Sequence, residues 1–87
     1  MKVEFKDAFI KSFRKRYSHD TDVQKRFHER LELFSLNPGN PILRDHPLKG
    51  TKTGFRSFSI TGDIRVIYVV VNEIAYFIDI GTHNQVY

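Results

Sequence analysis

Apolar and polar residues alternate from Lys2 to Phe5, a period of two that starts a short strand. The period changes at Asp7. From there Phe9, Ile10, Phe13 and Tyr17 recur at helical spacing and predict a helix of about ten residues. Ser18-His19-Asp20 breaks that helix, and Thr21 with Gln24 three residues later reads as a capping box opening a second one. Val23, Phe27, Leu31 and Phe34 form its apolar stripe, and Asn37-Pro38-Gly39-Asn40-Pro41 ends it. Two helices so closely joined make an antiparallel helical hairpin.

Beyond Pro41 the apolar residues lose the helical period. Phe55–Ile60, Ile64–Val71 and Ile74–Ile80 are rich in β-branched and aromatic residues and predict three strands. Gly62-Asp63 and Asn72-Glu73 offer two-residue turns between them. With those turns, Val69 lies opposite Tyr76, Ile67 opposite Ile78 and Arg65 opposite Ile80. Ile60 then stands beside Arg65 and Phe58 beside Ile67, so that Arg56 and Arg65 share a face. The expected order is β-α-α-β-β-β: an α+β domain over residues 1–87, with an antiparallel sheet packed against a two-helix hairpin.

Composition narrows the class. At 87 residues there is room for one domain, and eight Phe supply its core without staples. The absence of Cys excludes disulfides and thiolate metal sites. The first thirteen residues carry charges too often for a signal peptide, and no stretch is apolar enough to span a membrane. A cytoplasmic protein without a membrane partner is the expectation. Fourteen Lys and Arg against ten acids give a net charge of +4. Between Arg44 and Arg65 five basic residues (Arg44, Lys49, Lys52, Arg56, Arg65) face only Asp45 and Asp63. A basic surface of this kind fits a polyanion such as nucleic acid, and ordinary solubility charge is the plain alternative.

Arg65 is the one charge in the middle strand, Ile64–Val71. An unpaired buried guanidinium is costly, so it needs an anionic partner or a mouth open to water. An ion pair with Asp63 or Asp79 would satisfy it; so would a phosphate, which Arg fits well. His83 follows the last strand and gathers with Asp63 and Arg65 at one sheet edge. His46 sits in the basic stretch, and Tyr87 offers an aromatic surface or a phenol. His19 and His28 lie in the helical half as exposed bystanders, and no His pair has metal-ligand spacing. In a regular strand, 83 would point away from Arg65's face. A kink at Gly81-Thr82, with a curved tail, is therefore needed to bring His83 and Tyr87 back.

The segments DHPLKG (45–50), GFRSFSI (54–60), DIRVIY (63–68) and IGTHNQVY (80–87) together resemble the RelE/YafQ family of toxin–antitoxin ribonucleases, over nearly the whole chain. The resemblance implies a RelE-like fold and a toxin that cuts messenger RNA on the ribosome, by attack of a 2′-OH on the adjacent phosphate, without metal or cofactor. It also implies a cognate antitoxin that blocks the toxin. His46, Asp63, Arg65, His83 and Tyr87 fall on the family's catalytic positions, and Lys49 and Arg56 on its basic ones; Lys52 joins them as an RNA-binding residue. Three positions depart: Ser57 stands where similar toxins carry Asp, Ser59 where they carry His, and Ile64 where they carry Trp. The Ser57 and Ser59 departures favour the rival reading, a catalytically degenerate protein that only binds RNA or antitoxin, while the retained Arg65, His83 and Tyr87 favour the enzyme.

Overall fold

A computed structural model describes residues 1–87. Its elements are β1 (Lys2–Phe5), α1 (Asp7–Tyr17), α2 (Thr21–Leu36), β2 (His46–Pro47), β3 (Arg56–Ser59), β4 (Ile64–Val71), β5 (Ile74–Thr82) and α3 (His83–Val86). Short 3-10 turns at Pro41–Leu43 and Gly50–Lys52 flank β2. The five strands form one sheet in the order β1-β5-β4-β3-β2. The sheet is mixed, because β1 joins β5 in parallel while every other pairing is antiparallel. The expected β-α-α-β-β-β order is present, with β2, the two 3-10 turns and α3 added.

The helices end where local chemistry ends them. Asp20, not Thr21, caps α2: its carboxylate accepts from the Val23 amide at 3.1 Å. Gln24 turns back to the carbonyls of Tyr17 and Ser18 and so ties the two helices together. Phe9, Tyr17, Val23, Phe27 and Phe34 point from the hairpin onto one face of the sheet. There they meet Phe58, Val66, Tyr68, Ala75, Phe77 and Ile80 in a single core. Phe34 stacks on Phe58 at 4.7 Å between ring centroids and meets Tyr68 edge-on at 4.9 Å. Burial of this aromatic cluster is the main stabilising term for so small a chain.

Register decides what the other face carries. The β3–β4 loop runs over Ile60–Asp63, closed by the Ile60 amide on the Ile64 carbonyl at 2.8 Å, and is not a two-residue turn at Gly62-Asp63. Pairing therefore slips by one residue from the expected register: Ser59 faces Arg65 and Ser57 faces Ile67. Strand alternation then puts Ser57, Ser59 and Arg65 on the face away from the helices, and Arg56 with Phe58 on the helix side. Arg56 does not share Arg65's face.

The β4–β5 turn at Asn72-Glu73 is the expected two-residue turn, with φ of 51° and 66°. Val69 pairs with Tyr76 as expected, but an irregularity at Ile67/Tyr68 leaves Ile78 as an extra residue on β5. Arg65 consequently faces Gly81, and Ile67 faces Asp79, not Ile80 and Ile78. The chain does turn after Gly81-Thr82, into α3. Thr82 and Gln85 form a capping box there, with the Thr82 amide donating to Gln85 Oε1 at 2.8 Å. Gly81 is needed for closeness: a Cβ would lie 2.7 Å from Gln85 Oε1 and 3.0 Å from Arg16 Nη1.

Candidate functional site

The face away from the helices is built around Arg65. Ser57 and Ser59 alternate with core-facing Phe58 on β3, and both hydroxyls are buried beneath the guanidinium. Arg65 Nε donates to Ser57 Oγ, and Nη1 donates to Ser59 Oγ at 2.6 Å. Nη2 reaches the Arg44 carbonyl at 2.9 Å and the Ser57 carbonyl at 3.3 Å. Every one of these acceptors is neutral.

Neither expected carboxylate is among them. Asp79 pairs with Arg16 at 3.0 Å, and Arg16 also donates to the Ile80 carbonyl. Asp63 lies exposed in the β3–β4 loop and makes no ion pair. Its field acts on the helix side: the Tyr17 phenol is pushed above its usual range first by burial, with Asp63 adding to the effect. Arg65 thus keeps a half-buried positive charge with no internal anion to balance it.

Two of the expected proton carriers border that charge. β2 is two residues long, and its pairing of His46 with Ser57 sets the imidazole over the strand. His46 Nδ1 lies 3.2 Å from Arg65 Nη2 and 3.2 Å from the Arg44 carbonyl. Arg65 can only donate and the carbonyl can only accept, so Nδ1 serves one or the other according to its proton. Either way Nε2 is left for outside chemistry. At Nε, α3 returns Tyr87, whose Oη is 3.1 Å from Arg65 Nε and donates to Ser57 Oγ at 2.6 Å. His83 is exposed and packs edge-on against the Tyr87 ring, with centroids 4.4 Å apart.

The basic residues divide. Lys49 and Lys52 share a cleft of about 250 Å³ with Leu48, Thr51, His83 and Tyr87. Arg56 is elsewhere, bound through Nε to Asp45 at 2.7 Å, and Asp45 also accepts from the buried Tyr68 hydroxyl. That ion pair raises Arg56 further above its usual range, chiefly through the hydrogen bond to Asp45. Tyr68 is raised too, by burial first and then by Asp45. The structure therefore brings together Arg65, His46, Tyr87, His83, Lys49 and Lys52, and leaves Asp63 and Arg56 outside. Ser57 and Ser59, marked in the sequence by their place in the family pattern and by the polar-aromatic-polar run Ser57-Phe58-Ser59, seat the guanidinium together with the Arg44 carbonyl, which nothing in the sequence marks. No three His, Asp or Glu side chains gather as a set of metal ligands.

Comparison with known proteins gives this geometry a context. A family model described as the bacterial toxin of type II toxin–antitoxin systems, YafQ, matches residues 1–87. A copper-bound mutant toxin from Helicobacter pylori is 28% identical with a TM-score of 0.75, over 100% of this chain and 99% of that one. YafQ in the E. coli DinJ-YafQ complex is 25% identical with a TM-score of 0.68, over 98% of this chain and 96% of that one. A YoeB/ParE toxin from Agrobacterium tumefaciens, 20% identical with a TM-score of 0.77, shares the fold over 95% of this chain and 99% of that one. No curated protein sequence matches.

Proposed function

The chain belongs to the YafQ family of bacterial type II toxins, and from that premise we propose that it is an endoribonuclease that cuts messenger RNA on the ribosome and is neutralised by a cognate antitoxin. The observation that carries the reading is Arg65: a half-buried cation held by neutral oxygens, with the His46 imidazole and the Tyr87 phenol against it and His83 packed on that phenol.

The reaction is attack of a ribose 2′-OH on the adjacent phosphorus. The new O–P bond forms as the bond to the 5′-oxygen breaks, leaving a 2′,3′-cyclic phosphate and a free 5′-hydroxyl. Charge accumulates on the non-bridging oxygens, and Arg65 is placed to receive it, its orientation fixed in advance by Ser57 and Ser59. Lys49 and Lys52 supply further positive charge beside Tyr87. When His46 Nδ1 donates its proton to the Arg44 carbonyl, Nε2 is a free base able to take the 2′-OH proton. Tyr87, whose hydroxyl meets Arg65 at Nε, or His83, packed on its ring, gives the one proton the leaving 5′-oxygen needs. Asp63 has no role in this scheme, and Arg56 holds Asp45 rather than RNA. The E. coli complex of YafQ with DinJ supports an antitoxin partner, and an acidic segment of it lying over the same cations would block the site.

The test is induced expression followed by mapping of cuts in a ribosome-bound message. Wild type arrests growth and cuts within the reading frame, and Arg65→Ala does neither. Equal cutting by Arg65→Ala would defeat the assignment. The degenerate-toxin reading draws on the neutral Ser57 and Ser59, and it predicts antitoxin binding with no cutting by wild type.

A further inference from the structure

Arg44 follows the Pro41–Leu43 turn with φ of 49°, in the left-handed region that residues with a Cβ avoid. That conformation aims its carbonyl at Arg65 Nη2 and His46 Nδ1. Glycine or asparagine would present the same carbonyl at lower cost. The carbonyl has no use for the arginine side chain, which is exposed and enters no ion pair.

Arg44 and Arg30 both line a cleft of about 440 Å³ between α2 and the β3–β4 loop, together with Ser59, Thr61 and Gly62. No acid lines it. Ser59 Oγ is the acceptor for Arg65 Nη1, so the cleft shares a wall with the guanidinium's seat, and none of its lining residues lines the Lys49–Lys52 cleft. Two separate cation-lined clefts thus adjoin the Arg65 site, one through Ser59 and one through Tyr87. A single RNA strand carries one phosphate per nucleotide and needs such charges in series.

We infer that the Arg30–Arg44 cleft is a second phosphate subsite, taking the phosphodiester next to the one held at Arg65. The inference rests on the RNA-directed reading above and adds to it where the strand runs. Arg44→Gly tests it, because it removes the guanidinium, keeps the carbonyl and relieves the φ. Its thermal midpoint should equal or exceed wild type, which separates lost binding from lost folding. Binding of a short fluorescein-labelled single-stranded RNA is measured from 0.15 M salt upward. The slope of log affinity against log salt should fall by about 0.7 in Arg44→Gly, a weakening of about fourfold at 0.15 M salt that vanishes toward 1 M. Arg30→Gln should show the same change. A wild-type slope in both variants overturns the subsite, as does a loss seen with a polyglutamate peptide but not with RNA. Wild type that binds RNA with the full slope yet never cuts it would sink the nuclease reading and leave the subsite standing. Wild type that does not bind RNA would sink both.

Discussion

Arg65 was legible as a residue: one charge in an otherwise apolar central strand must have a purpose. What holds it was not legible, because a register slip of one residue exchanges Ile60 for Ser59 as its neighbour. The left-handed Arg44 also leaves no mark in the sequence, since its neighbours give no turn signal that demands it. Removing the charge while keeping the pocket should be severe. Arg65→Ala is expected to lower single-turnover cleavage on the order of 10²–10³-fold, comparable to losing an oxyanion donor. Lys52→Ala should instead weaken binding and be largely restored at low salt, so a rate loss independent of salt would refute that division of labour. Tyr68 carries a pH signature. Its folded pKa lies above the unfolded value near 10, so the folded state holds its proton more tightly. The corresponding stability is full below pH ~10 and is lost as pH rises beyond it. Urea melts from pH 8 to 11 should show that loss in wild type, and Tyr68→Phe should reduce it, leaving the part due to the buried Tyr17. Equal slopes in both proteins would contradict the assignment to Tyr68.

Among the elements, the helices and the Asn72-Glu73 turn follow directly from period and turn chemistry. The bulge at Ile78 does not. Ile78-Asp79-Ile80 reads as plain alternation, and an extra residue between paired strands has no compositional mark. The same holds for α3: four residues are too few for a helical period, and only Thr82 with Gln85 announces its cap. Glycine at 81 lets α3 close against the strand, so Gly81→Ala should push Gln85 aside and swing Tyr87 from Arg65. Its cleavage rate should fall at least tenfold while its fold, by circular dichroism, remains; a fully active variant would show that α3 does not set Tyr87. At the other end of β5, Glu73 occupies a left-handed position with φ of 66°. Glu73→Gly should raise stability by up to about 1 kcal/mol in urea unfolding, and a clear loss would mean that the turn does not hold this geometry.

For the molecule as a whole, one face of the sheet is given to the aromatic core and the other to the polar cluster around Arg65. The first is readable from eight Phe and their spacing. The second needed the fold, since His46, Ser57, Arg65 and Tyr87 meet only through the β2–β3–β4 pairing and the return of α3. The core bears the stability: Phe34→Ala should cost about 3–5 kcal/mol, enough to threaten folding in a chain this size. On the proposed function the other face does the work: side chains of this one chain neutralise the charge on the pentacoordinate phosphorus. The most direct measurement is the end group of RNA cut by purified protein on ribosomes programmed with one message. The account predicts cutting by wild type with a 2′,3′-cyclic phosphate at the upstream end, and no product with Arg65→Ala. A 3′-hydroxyl at the upstream end would contradict it.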